Sequence, residues 1–290
     1  MTSHDCVMKV RKLLHIKKVG HTGTLDPNVE GVLPICIGEA TKIIPFLLDL
    51  KKVYIAEIIL GRTTTTEDSD GETVQEEKVT LPPSDTEINR VLHQYTGKIE
   101  QTPPMYSAVK VKGKRLYEYA RKNLEVERPV RQIMIYNIER LPIQSCTIND
   151  RIRMKVTCSK GTYIRTLCVD IGKALGFLAH MGFLQRIESD SFHLNETVTF
   201  MDIGNKVSEN KLEDLLFPIK RGLEHLDTLY VDQQMKQKIF YGQKLPMPNK
   251  QMLTNPFKVM YQEELLAIYE NHAKNEHEIK PIRVFNIHKN

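Results

Sequence analysis

A strict alternation of side chains near the middle of the chain most constrains its fold. In residues 151–158 apolar side chains, ending in Val156 and Cys158, alternate with basic or hydroxyl ones such as Arg153 and Lys155. Successive side chains of a β-strand point to opposite faces. The pattern therefore predicts a strand with one face in a core and the other face basic. Any fold of this chain must contain a sheet that accepts such a strand.

Helical periodicity surrounds this strand. Ser3 is the expected cap of the first predicted helix, Ser84 and Glu87 form a predicted capping box for the third, and Gly97 is its expected stop. Apolar residues recur every three or four positions in four segments, residues 7–14, 40–48, 88–95 and 164–175. Because helices and strands do not alternate strictly as βαβ units, we predict an α+β fold with a largely antiparallel sheet.

The length of the chain and a change in its sequence pattern predict two domains. The 290 residues, of which 41% are hydrophobic, exceed the usual size of one domain and can bury a sizeable core. After Leu223 the sequence changes to a pattern of short strands and one helix. We therefore predict a large domain over residues 1–225 and a small β-rich one over 226–290. Residues 62–77 are predicted to form an exposed loop, and residues 109–116 a hairpin around Gly113.

Positive charge is concentrated in one short region. The chain carries a net charge of +5, and residues 108–122 alone hold six basic residues against the single acid Glu118. The rest of the chain is therefore balanced. Taken by charge alone, this region fits a solvated surface and a nucleic-acid-binding surface about equally well.

Cysteine usage and hydropathy favour a cytosolic location. The five cysteines are odd in number and lack metal-ligand spacing, so we expect reduced thiols, no disulfide and no zinc. The apolar stretch at residues 43–50 is interrupted by Pro45 and Asp49, and no membrane span is predicted. The cysteines are Cys6, Cys36, Cys146, Cys158 and Cys168.

One carboxylate stands out in residues 20–27, Gly-His-Thr-Gly-Thr-Leu-Asp-Pro. Residues 6–25 contain five lysines and arginines and no acid, so Asp26 is the first negative charge after a field that attracts phosphates. An isolated Asp-Pro is usually an ordinary turn. Here Gly20 and Gly23 allow close backbone approach, which favours a displayed functional group.

Residues 17–42 resemble the catalytic segment of the bacterial tRNA pseudouridine synthase B family. Further segments follow in the family's order, at residues 51–54, 101–108, 114–121, 159–165 and 179–181. The resemblance implies a pseudouridine synthase fold, with a mixed, largely antiparallel sheet flanked by helices and a small PUA-like β-rich domain at the C-terminus. It also implies a cytoplasmic monomer that acts on tRNA without a cofactor or metal.

The implied reaction is isomerisation of uridine to pseudouridine at position 55, in the T-arm of tRNA. Asp26 would be the nucleophile, Arg165 would pair with it, and Tyr54 would pack on the flipped uracil and help move the C5 proton. A nearby guanidinium keeps a carboxylate ionised and oriented, and an ionised carboxylate needs no general base. From the residues alone, residues 160–165 also fit a simple strand-to-helix connection, and Tyr54 a half-buried strand residue.

The resemblance assigns a further set of residues to substrate binding. His21 would fill the space left by the flipped base, while Tyr163 and Leu184 would line the uracil pocket. Leu184 also fits a plain core position. Contacts with phosphates are implied for Lys42, Lys110, Lys112, Lys114 and Arg115.

Two expectations remain to be weighed. Family members begin with a strand and a Lys-Pro-x-Gly-x-Thr-Ser segment, whereas this sequence opens at Met1-Thr2-Ser3, so one strand of the main sheet is expected to be missing. The competing function is a catalytically silent tRNA-binding or folding module, and an Asp-nucleophile hydrolase is a distant third. Asp26→Asn distinguishes the first two, because binding should survive it and isomerisation should not.

Overall fold

The computed structural model describes residues 1–48, 50–143 and 150–286. The chain divides into two compact units, one of residues 1–24, 33–48 and 198–290 and the other of residues 25–32 and 49–197. The predicted boundary near residue 225 stays a prediction. The α-helices are α1 (Ser3–Leu14), α2 (Ile44–Leu47), α3 (Asp85–Gln94), α4 (Leu116–Ala120), α5 (Ile164–Ala174), α6 (Phe200–Ser208) and α7 (Gln233–Phe240).

The strands range in length from two residues to eleven. They are β1 (Val19–His21), β2 (Glu30–Gly31), β3 (Ile35–Ile37), β4 (Lys52–Leu60), β5 (Arg62–Thr64), β6 (Thr73–Glu76), β7 (Gly97–Gln101), β8 (Lys110–Val111), β9 (Lys114–Arg115), β10 (Arg131–Leu141), β11 (Arg151–Cys158), β12 (Ala179–Ser189), β13 (Phe192–His193), β14 (Thr228–Tyr230), β15 (Leu245–Pro246), β16 (Phe257–Tyr261), β17 (Glu264–Asn271) and β18 (Glu278–Val284).

The second unit is built on a mixed sheet in the order β13-β12-β4-β11-β10-β7, with β2 added beside β12. The β2–β12 pairing is parallel and the others are antiparallel. Strand β11 buries Ile152, Met154, Val156 and Cys158 and leaves its basic side partly exposed. These features confirm the predicted strand and the predicted fold class.

Helices α3 and α5 cover the buried face of this sheet. Helix α5 places Ile164, Leu167 and Ile171 in the same core cluster as the buried side of β4 and β11. Helix α3 begins with the predicted Ser84–Glu87 capping box. Because α5 follows β11 directly, its first turn, which contains Arg165, lies where the central strand ends.

The first unit contains a second sheet in the order β14-β16-β17-β18-β15. Its core includes Phe257, Tyr269 and Ile279, and Ile239 of helix α7 packs into it. This sheet matches the predicted small β-rich C-terminal part of the chain. Helix α1 lies in the same unit and packs beside α6, with Val7 and Val10 in a small core.

Three local predictions need correction. The cap of α1 is Thr2 rather than Ser3, because the Thr2 side chain accepts from the Asp5 N–H. Residues 40–48 do not form one helix, since a 3₁₀ turn over Gly38–Ile43 precedes the single turn of α2. Residues 62–77 are not a plain exposed loop, because β5 and β6 pair and the segment between them contacts α5.

The cysteines show no paired thiols in the described ranges. Cys6, Cys36, Cys158 and Cys168 are free, and Cys146 lies outside the described residues. Burial raises the pKa of Cys36 to about 12 and that of Cys158 to about 11, so both thiols stay protonated at neutral pH. Among residues 1–48, 50–143 and 150–286, no helix combines the length and apolar character needed to cross a bilayer.

Candidate active site

The loop that carries Asp26 is fastened to the central sheet. Its β2 strand pairs with β12, the Val32 N–H donates to the Arg186 carbonyl at 2.8 Å, and Arg186 Nε donates back to the Val32 carbonyl at 2.7 Å. The Val29 N–H donates to the Asp26 carbonyl at 3.0 Å and closes a turn. The Asp26 side chain is 41% exposed. It is therefore accessible to a substrate, although the loop that carries it is fixed to the sheet at Val32.

Gly31→Ala is expected to destabilise the chain and displace this loop. Gly31 has φ +124°, and a Cβ there would lie 2.1 Å from the Arg186 carbonyl oxygen. Strain and clash together should cost about 2–3 kcal/mol, measured as a lower midpoint in urea unfolding. Gly97→Ala is the control, since Gly97 also has a positive φ but open space around its Cβ position. An equal loss in both variants would contradict the role of the close approach.

Arg165 provides the partner that was predicted for Asp26. Its Nε lies 2.8 Å from Asp26 Oδ2, and its side chain is only 5% exposed. The other two guanidinium nitrogens donate to backbone carbonyls, Nη1 to Thr66 at 2.9 Å and Nη2 to Tyr106 at 3.0 Å. A planar guanidinium held at three corners has one orientation. The pairing of Arg165 with Asp26 is thus confirmed, and it fixes the direction of the Asp26 carboxylate.

A second carboxylate, Asp68, shares the same guanidinium. Asp68 Oδ2 lies 3.6 Å from Arg165 Nε, and its side chain is 14% exposed. Its other oxygen accepts from the Thr66 hydroxyl at 2.5 Å and the Asp70 N–H at 3.1 Å. Asp68 is therefore held by its own loop, whereas Asp26 is more exposed. Of the two acids on Arg165, Asp26 is the more accessible to solvent.

Tyr54 lies in the core beside this group. It is 8% exposed and belongs to the cluster on which Leu25 and Leu184 pack. Its partner across β4 and β12 is the buried Arg186. Burial raises the pKa of the Tyr54 hydroxyl, the Asp26 charge adds to that effect, and Arg186 opposes it. The Tyr54 hydroxyl therefore stays protonated at neutral pH, within electrostatic range of Asp26.

Tyr163 is held at the start of α5 by a side chain that reaches across the sheet end. Gln101 Nε2 donates to the Tyr163 carbonyl at 3.0 Å, and Gln101 Oε1 accepts from the Tyr163 N–H at 2.8 Å. Gln101 is 3% exposed. These two hydrogen bonds between the Gln101 side chain and the Tyr163 backbone fix the start of the helix. They thereby fix the position of Arg165, two residues later.

The basic hairpin is anchored at the site. Tyr106 supplies a carbonyl to Arg165, and Arg128 Nη1 closes the base of residues 103–128 on the Pro103 carbonyl at 3.0 Å. Strands β8 and β9 form the predicted hairpin beyond that base. Its basic residues Lys110, Lys112, Lys114 and Arg115 are all exposed.

His21 and Lys42 belong to the other unit. His21 Nδ1 accepts from the Gly23 N–H at 3.2 Å. Lys42 Nζ donates to Glu39 Oε2 at 2.5 Å and to the Val284 carbonyl at 2.7 Å. Lys42 is therefore already engaged by its own unit. The structure brings Asp26, Tyr54, Arg165, Tyr163 and Leu184 together in one unit, whereas His21 and Lys42 belong to the other unit.

Four contacts were missed by the sequence analysis. Thr66 and Asp68 lie in the Thr-rich acidic segment that was predicted to be an exposed loop. No sequence feature of that segment distinguishes Asp68, which contacts Arg165, from Asp70. Gln101 starts a segment already quoted for its family resemblance, so it could have been selected. Arg186 lies two residues after Leu184 in the same strand, and the sequence does not indicate that an arginine at this position is buried. Over the described part of the chain, no cluster of three or more His, Cys, Asp or Glu side chains could hold a metal.

Comparison with known families covers most of the chain. Residues 11–164 match the N-terminal domain of the TruB family pseudouridylate synthases. Residues 165–224 match the tRNA pseudouridylate synthase B C-terminal domain. The second matched range begins at Arg165, the second residue of helix α5.

Individual relatives agree with the family models. The tRNA pseudouridine synthase B of Oceanobacillus iheyensis is 52% identical over 99% of this chain and 94% of that relative. The enzyme of the same name from Listeria innocua is 48% identical over 99% of this chain and 95% of that protein. A solved Cbf5-Nop10-Gar1 complex matches with a TM-score of 0.75 and 26% identity, over 98% of this chain and 80% of that one. This chain belongs to the TruB family of pseudouridylate synthases, which are isomerases.

Proposed function

We propose that this chain converts uridine 55 in the T-arm of tRNA to pseudouridine, with Asp26 as the nucleophile. The curated relatives at about half identity carry the name tRNA pseudouridine synthase B, which supports tRNA as the substrate. The observation that carries the proposal is the 2.8 Å contact between Asp26 and the buried, fully engaged Arg165. The enzyme works as a cytoplasmic monomer.

The reaction needs one carboxylate and a pocket for uracil. Asp26 begins cleavage of the N1–C1′ glycosidic bond, the freed uracil turns, and a C5–C1′ bond forms while the C5 hydrogen leaves as a proton and N1 takes up a proton. Bonds broken and formed balance without an oxidant or ATP. Arg165 holds the Asp26 carboxylate in one orientation, which a turn alone would not achieve.

The target base must leave its stack to reach Asp26. A base inside a folded RNA loop is inaccessible, and enzymes that act on bases extrude them. Tyr54 and Leu184 provide the apolar wall beside Asp26, and Tyr163 lies at the start of α5. In this proposal the protonated hydroxyl of Tyr54 takes part in the transfer of the C5 proton.

Phosphates of the T-arm supply most of the affinity. The exposed side chains of Lys110, Lys112, Lys114 and Arg115 extend from a base that contacts Arg165 through Tyr106. Such contacts position the RNA without reading its sequence. Lys42 contributes a further phosphate contact by exchanging its bond to Glu39, and His21 takes the space that the flipped base leaves.

The test is release of tritium from C5-labelled uridine in unmodified tRNA transcripts. We expect stoichiometric release of one tritium per tRNA, no release when uridine 55 is replaced by cytidine, and release from an isolated T-arm stem-loop. Tritium must leave because the new glycosidic bond forms at C5. Release from the cytidine-55 transcript would contradict the proposed position, and absence of release from the stem-loop would contradict recognition of the T-arm alone.

A further inference from the structure

The turn between β5 and β6 holds a glutamate in an unfavourable backbone conformation. Glu67 has φ 64°, in the left-handed region that side-chain-bearing residues seldom adopt. Its N–H donates to the Thr64 carbonyl at 3.3 Å, and its carbonyl accepts from the Met181 N–H at 3.0 Å. The backbone is therefore fixed on both sides of the residue.

The side chain of Glu67 reaches the first turn of α5. Its Oε2 accepts from the Thr166 hydroxyl at 2.7 Å, and Thr166 is 7% exposed. Burial raises the pKa of Glu67, Asp170 adds to that effect, and Arg165 and Arg128 oppose it. The carboxyl group thus lies near both positive and negative side chains. Its burial there costs free energy. A glutamine or glycine would avoid that cost.

The neighbours of Glu67 on both sides contact the catalytic arginine. Thr66 accepts from Arg165 Nη1, and Asp68 lies beside Arg165 Nε. Thr166 is the next residue after Arg165. We propose that Glu67 is a positioning residue whose bond to Thr166 fastens residues 66–68 to the first turn of α5 and so aims the Arg165 guanidinium at Asp26. The inference rests on the proposed role of Asp26 as the nucleophile.

If Glu67 only stabilised the fold, its replacement by glycine would leave kcat unchanged. Gly adopts φ near 64° without strain and buries no carboxyl group, which offsets the lost bond to Thr166, so Glu67→Gly should keep the melting temperature close to that of wild type. If Glu67 aims Arg165, the same variant should lower kcat about tenfold, the effect of losing one hydrogen bond to a charged group. KM should stay within about twofold, because the residue does not face the RNA.

Two variants check that the bond to Thr166 carries the effect. Glu67→Gln keeps an acceptor for the Thr166 hydroxyl and should restore kcat to within about threefold of wild type. Thr166→Val removes the donor and should match Glu67→Gly, and the double variant should be no slower than either single one, because both remove the same bond. Glu76→Gln, on the exposed face of β6 in the same hairpin, is the control and should leave kcat unchanged.

The experiment measures kcat and KM by tritium release from full tRNA transcript, together with thermal melting of each variant. An unchanged kcat in Glu67→Gly would overturn the inference, and so would a loss of kcat that merely follows a lower melting temperature. Activity of Asp26→Asn would overturn the proposed function and this inference with it. An inactive Asp26→Asn beside a fully active Glu67→Gly would remove the inference and leave the proposed function standing.

Discussion

Asp26→Asn is expected to lower the rate of tritium release by at least about a thousandfold, because the reaction then lacks the proposed nucleophile. The amide has the shape of the carboxylate but no negative charge and little nucleophilicity. Its oxygen can still accept from Arg165, so the loop should keep its place. Single-turnover release from C5-labelled tRNA, followed by nucleoside analysis of the product, measures the effect.

Binding of tRNA should survive the same substitution. Asp26 is a negative charge beside a polyanion, so its removal should leave the affinity equal or slightly higher. Filter binding at a fixed salt concentration tests this expectation. Asp85→Asn is the matched control, because it makes the same chemical change at an exposed position in the first turn of α3, and it should retain full activity. Turnover by Asp26→Asn above a few per cent of wild type would reject Asp26 as the nucleophile.

The parts of the fold that follow from periodicity could be predicted from the sequence. Strand β11 and helix α5 each bury one face, and their apolar residues recur at intervals of two and of three to four. A capping box is a local pattern as well, and the one at Ser84 was found. The short 3₁₀ and α turns at Gly38–Leu47 were not separated, because Pro45 breaks the helix within an otherwise suitable apolar pattern.

Only those residues of the site that lie within a recognisable sequence motif could be predicted. Asp26 and Arg165 lie in motifs, yet Thr66 and Asp68 join them through a turn whose composition suggests exposure. That turn reaches Arg165 because β5 continues from β4, which lies between β11 and β12 in the sheet. Strand order is a long-range property, so no window of sequence contains it. The buried arginine at position 186 was missed for the same reason.

Arg165→Lys is expected to lower kcat about a hundredfold while KM changes little. A lysine keeps the positive charge but offers a single ammonium group, which cannot reach Asp26, the Thr66 carbonyl and the Tyr106 carbonyl in one fixed plane. Loss of orientation of this size costs about two orders of magnitude in rate. At 5% exposure the side chain is too buried to bind phosphates, so KM should hold within about threefold.

Arg165→Met separates charge from orientation. It removes the positive charge that Asp68 and Asp26 share, so it should also lower the melting temperature, whereas Arg165→Lys should melt close to wild type. Arg151→Lys is the control, because Arg151 pairs with Glu57 at 2.7 Å in the same sheet but is 42% exposed, and exposed pairs contribute little. If Arg165→Lys keeps wild-type kcat, charge alone suffices. If instead KM rises and kcat holds, Arg165 binds RNA rather than orienting Asp26.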